Sequence, residues 1–136
     1  MTSTSLDRDS LKALFQAAHQ VLELPEGQLP EGTWTPEDRS LMISTMRRLR
    51  KRIDHATAVK FTVDQKLEPL EVSEIAQSDS TNEVEVSISP RSATAWTQLL
   101  NLPVSRMSPR ELHLRTGYEM EELRAAIHKF SRLRDD

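Results

Sequence analysis

Apolar residues recur at helical spacing at both ends of this chain and alternate with period two in its middle. That change of period constrains the fold more than any other feature. Leu11, Leu14, Phe15, Ala18 and Leu22 follow three- and four-residue steps, which predicts a helix over about residues 6–23. Ser5 or Asp7 can cap it, because a side-chain oxygen there accepts from an orphan amide. Pro25 stops it, since proline cannot continue the hydrogen-bond ladder. Residues 25–35 hold Gly27 and Gly32, two of the chain's three glycines, and read as a loop.

A second helix opens with Thr35 as N-cap, Pro36 at the first helical position, and Glu37 and Asp38 at the positive end of the dipole. Met42, Met46, Leu49, Ile53 and Ala56 then form an apolar seam at alternating four- and three-residue steps. Val63 and Leu67 would extend that seam as helix, whereas Val59, Phe61 and Val63 alternate as a strand does. Both readings of residues 57–67 stay open. Glu83 to Ile88 alternates polar and apolar residues before Pro90, which predicts a strand hairpinned with residues 70–76. A disordered acidic linker is the alternative for this stretch.

The last third reads as three helices. Ser92 caps the first, with Trp96, Leu99 and Leu100 inward, and Pro103 closes it. Ser108 and Pro109 open the second, with Leu112 and Leu114 inward, and Thr116-Gly117 ends it. The third runs from Tyr118 to about Arg134 on Leu123, Ala126, Ile127, Phe130 and Leu133. The expected class is therefore mainly α (α+β). A helix pair occupies residues 1–60, a small β-hairpin the acidic segment 61–90, and a three-helix unit residues 91–136. Aromatics make up 4% of the chain, so an aliphatic core is expected.

The chain has no cysteine, which removes disulfides, thiolate metal sites and thiol nucleophiles. No apolar run approaches the roughly 18 residues of a membrane span. The first nine residues lack the basic and apolar regions of a secretory signal. A soluble cytoplasmic protein with no membrane partner is the expectation. Three scattered glycines cannot build a phosphate-cradling loop. His19, His55, His113 and His128 fall on separate elements at no metal-ligand spacing, and no Gly-x-Ser-x-Gly elbow is present. No catalytic residue, metal ligand or cofactor is assigned, and an enzyme is not expected.

Two features remain. Arg47, Arg48, Arg50, Lys51 and Arg52 surround Leu49, five bases in six residues. They could neutralise nucleic-acid phosphates. They could equally wrap both sides of Leu49 as a solvated face, or pair with the segment 61–90, whose net charge is −6. Residues 109–130 resemble a helix-turn-helix, with Gly117 at the turn. His113 stands where that motif usually has a small residue, and Glu119, Glu121 and Glu122 open the helix that would approach DNA. Ordinary helix packing accounts for the same pattern, and we carry that reading forward. The expected function is a non-catalytic regulatory or assembly protein that binds a protein partner or itself as a homo-oligomer, through Met42, Met46, Leu49 and Ile53. The alternative is a nucleic-acid-binding regulator using the basic helix 47–52 and the C-terminal helices.

Overall fold

The computed structural model describes residues 2–24, 34–52, 58–75 and 83–134. Its elements run β1 (Ser3–Asp7), α1 (Arg8–Glu23), α2 (Pro36–Arg52), β2 (Ala58–Val63), β3 (Val72–Ile75), β4 (Glu83–Ile88), α3 (Pro90–Arg106), α4 (Pro109–Thr116) and α5 (Met120–Ser131). A 3-10 turn, Arg132–Arg134, follows α5. The class is mainly helical α+β, as the two periodicities indicated. The loop residues 25–33 and the polar run 77–82 lie outside the described residues, as do Ile53, His55 and Ala56.

The strands form one sheet in the order β1-β2-β4-β3. β1 pairs antiparallel with β2, β2 parallel with β4, and β3 antiparallel with β4. The chain thus passes the place of β4 to lay down β3, then returns to fill it. Strand residues alternate sides, and burial follows: Thr4 and Leu6, then Val59, Phe61 and Val63, then Val84, Val86 and Ile88 are buried. Their neighbours, among them Ser5, Lys60 and Glu85 in one cross-strand row, take the open face. The hairpin expected from residues 70–90 is the β3–β4 pair, and the open question at 57–67 resolves as β2.

Several local expectations are corrected. Residues 3–7 form an edge strand rather than the start of a helix, because Thr4 and Leu6 extend the buried face of β2. Asp7 is then the cap of α1, accepting from the Ser10 amide at 2.8 Å. Ser89, not Ser92, caps α3. Pro90 suits the first helical position, and the Ser92 amide donates to Ser89 Oγ at 3.1 Å. Pro103 does not close α3. It sits inside the helix, where the extra turn keeps Pro103 and Val104 buried and the Met107 amide donates to the Pro103 carbonyl. Leu114 is 75% exposed and Leu22 37% exposed, while Val21 takes the interior place expected of Leu22.

The core is not purely aliphatic. Phe130 of α5 meets Phe61 of β2 edge-on, with centroids 5.3 Å apart, and stacks against Trp96 of α3 at 6.2 Å. All three are completely buried. Three of the six aromatics meet where sheet and helices join, and aliphatic residues fill most of the remaining core. α1 lies across this junction with Leu11, Leu14, Ala17 and Val21 buried, in contact with α2, α3, α5 and the sheet.

Two stability predictions follow from this packing. Leu49 is fully buried in the shared core, so Leu49→Ala should lower stability by about 2–5 kcal/mol in a denaturant or thermal melt. An unchanged melt would mean that α2 is wrongly faced. The Asp7 carboxyl is held below the ordinary aspartate value, chiefly by the hydrogen bonds from Ser10. A depressed folded value contributes stability that is present above the unfolded value, near 4, and is lost as pH falls through the folded one. The stability advantage of the wild type over Asp7→Asn should accordingly shrink as pH is lowered below about 4, measured by urea unfolding across that range.

Candidate functional site

α2 presents three faces, one apolar and two that carry four of the five clustered bases. Positions three and four apart share a helix face. Met42 and Leu49 are fully buried and Met46 is 3% exposed, so the seam faces the protein's own interior. Among the described residues Met42, Met46 and Leu49 pack into the protein's own core, and of the three Met46 also lines the crevice against α1. Ile53, the fourth member of the expected surface, lies outside the described residues.

The second face points to the sheet edge. Arg48 Nε lies 2.7 Å from Glu74 Oε1, and Arg52 Nη1 lies 3.5 Å from Glu74 Oε2. Glu74 stands on β3 opposite Val86, on the helix-bearing side of the sheet, and its side chain is only 13% exposed. Two of the five candidate nucleic-acid contacts are thus drawn to one carboxylate of the acidic segment. Pairing with residues 61–90 is what the structure shows for Arg48 and Arg52.

The third face borders α1. Here Ile43, Arg47 and Arg50 stand opposite Phe15, Ala18, His19 and Leu22 across a crevice. It widens toward the start of α2 into a groove of about 570 Å³ lined by Leu22, Trp34, Pro36, Ile43, Ser40, Ser44, Arg39 and Arg47. The floor is apolar and the rim cationic. No carboxylate lines either part among the described residues. Arg47, Arg50 and Lys51 are exposed, and none of their side chains has a hydrogen bond or ion pair with another described residue.

Neighbouring contacts hold the groove's walls in place. The Arg39 guanidinium donates to the carbonyls of Val21, Leu22 and Leu24 at 2.9, 2.8 and 3.2 Å, closing the end of α1. Carbonyls at a helix end lack donors from a following turn, and here, among the described residues, only Val21 also accepts a local amide, that of Leu24 at 3.3 Å. Thr35 and Asp38 cap α2 reciprocally: the Asp38 amide donates to Thr35 Oγ1, and the Thr35 amide donates to Asp38 Oδ2. Asp38, fully buried, also receives Arg91 of α3 at 3.2 Å. Sequence reasoning missed Arg39 and the groove. A base in the first turn of a helix opposes the dipole there, and that mismatch is the signal that Arg39 has a tertiary partner.

The helix-turn-helix pattern is present as α4, a Gly117–Glu119 turn and α5, with Gly117 at φ +78° in the left-handed region. Its glutamates have local duties. Glu119 caps α5 and Glu122 reaches back to the Glu119 amide at 3.1 Å. His113 Nδ1 lies 3.1 Å from Glu119 Oε1 across the turn. Leu123, Ala126, Ile127 and Phe130 of α5 are buried. A second cleft, about 550 Å³ between α3 and α5, is lined by Asn101, Val104, Arg124, Ile127, His128 and Arg134 among others.

The Glu74 pair has a measurable signature. Both arginines are nearly half exposed, so Glu74→Gln should cost no more than about 1 kcal/mol at low salt. The difference from wild type should vanish near 1 M salt, where the screening length is about 3 Å. A cost that persists at high salt would point to packing instead of charge.

Compared with known protein families, with curated proteins and with solved structures, the chain matches none.

Proposed function

We propose that this is a non-catalytic regulatory or assembly protein that works by holding a segment of another protein in the groove between α1 and α2. The observation that carries the reading is an apolar floor, formed by Leu22, Trp34 and Ile43, beside Arg47 and Arg50, whose side chains have no partner among the described residues. A concave site with mostly apolar lining and a few placed polar groups is the usual form of a binding site. The walls are rigid: α1 and α2 are both anchored in the core, and Arg39 ties the end of one to the start of the other. A preformed groove lowers the ordering cost of association.

The nucleic-acid alternative needs several bases aligned along one surface. Support for it is reduced by the diversion of Arg48 and Arg52 to Glu74, and by the capping duties of Glu119 and Glu122. Self-association through Met42, Met46 and Leu49 loses its surface with those residues inside.

The test is co-purification of the tagged protein from the cells that make it, alongside Leu22→Glu. Leu22 is 37% exposed, so a charge there leaves the core intact while spoiling the groove. The expected result is a protein partner that survives nuclease treatment and is lost with Leu22→Glu. A nuclease-sensitive partner retained by that variant would contradict the proposal.

A further inference from the structure

We infer that the segment held between α1 and α2 is acidic and amphipathic, with apolar side chains on the groove floor and carboxylates meeting Arg47 and Arg50. This rests on the groove being the binding surface, and goes further by naming the chemistry of its occupant.

Charge complementarity identifies the occupant. Arg47 and Arg50 are three residues apart on α2 and so project side by side, roughly 5–6 Å apart at their Cβ atoms. Two other cations on the same helix have a carboxylate supplied by the fold. Arg48 and Arg52 share Glu74, across the helix from the groove. At the next helix start Arg91 has Asp38. Arg47 and Arg50 have no such partner among the described residues, although the chain is net negative, with 21 acids against 18 bases. Like charges placed side by side repel each other, and an occupant bearing carboxylates would relieve that repulsion.

The floor sets the second requirement. Ile43 is 9% exposed and Phe15 8% exposed at the base of the crevice, while Leu22 stands more open at its edge. Polar residues alone would leave this surface uncovered, so the occupant must carry apolar side chains on the same face as its acids. A basic segment of the same shape would bring its charge against two arginines, and such juxtaposition is how interfaces exclude wrong partners.

The experiment uses three fluorescent peptides that share apolar residues at helical spacing and differ only in their polar positions, all Glu, all Gln or all Lys. Binding to the full chain is read by anisotropy at low and moderate salt. The expected order is Glu tighter than Gln by roughly tenfold, and Lys weakest, with the Glu advantage falling as salt rises. The double variant Arg47→Gln/Arg50→Gln should bring the Glu peptide down to the Gln peptide and leave the Gln peptide unchanged. Both residues are exposed, so the variant is expected to fold, and its circular dichroism checks this.

If Glu and Gln peptides bind equally, the inference is overturned while the groove reading stands. If no peptide binds, both fail. Sedimentation of the chain alone supplies the remaining arm. A monomer at all concentrations agrees with an external occupant, and a dimer abolished by Leu22→Glu would replace it with a second copy and overturn the inference.

Discussion

Phe130 stands between Phe61 of the sheet and Trp96 of α3, and the rest of the structure is arranged around that junction. Edge-on and stacked aromatic pairs each add about 0.5–1.5 kcal/mol beyond the area they bury. Their larger effect is positional. Phe61 is the middle buried residue of β2, which pairs with both β1 and β4. Seating Phe130 on it therefore fixes α5 over the centre of the sheet. Trp96 sets α3 beside α5. Small residues complete the arrangement: Ala13, Ala17, Ala18, Ala93, Ala95 and Ala126 are nearly or fully buried, and their size lets helices approach closely.

With α1, α3 and α5 placed, α2 has little freedom. Met42 and Leu49 insert into the common core, Asp38 and Arg91 join its start to α3, and Arg39 joins it to the end of α1. The remaining sides of α2 then face different surroundings. One meets the acidic edge strand and is neutralised there, and the other borders the groove with its charges unmet among the described residues. The functional proposal is a consequence of this partition. A single helix whose interior face is fixed sends Arg48 and Arg52 to a structural carboxylate and Arg47 and Arg50 to the crevice.

The periodic parts of this fold were legible in the sequence, and the parts set by distant partners were not. The α1 stripe apart from Leu22, the α5 stripe, Leu112 of α4, the Thr35-Pro36 start, the Ser108 cap and the 83–88 strand all follow from residues close together in the chain. β1 was missed because five residues carry too short an alternation, and only pairing with β2 makes Leu6 a core residue. Pro103 was read as a terminator because the burial that sustains the following turn is tertiary. The seam of α2 was correctly seen as apolar, but a sequence cannot say whether such a face meets its own core or another chain. The basic run was likewise visible as a cluster, with pairing to the acidic segment among its readings. Its division by Glu74 depends on where β3 lies. Leu22, Trp34 and Ile43 gave no warning of a groove, since each is an ordinary helix or loop residue until the walls are in place.

The claim on which this account turns is that α2 has an interior face, a neutralised face and an available face. The chain contains no cysteine, so single cysteines introduced along α2 report accessibility without background. Thiol labelling under native conditions should be fast for Arg47→Cys and Arg50→Cys, intermediate for Arg48→Cys and Arg52→Cys, and slow for Met42→Cys, Met46→Cys and Leu49→Cys. Labelling of positions 42, 46 and 49 as fast as that of 47 and 50 would show the seam open to solvent, and would contradict the account.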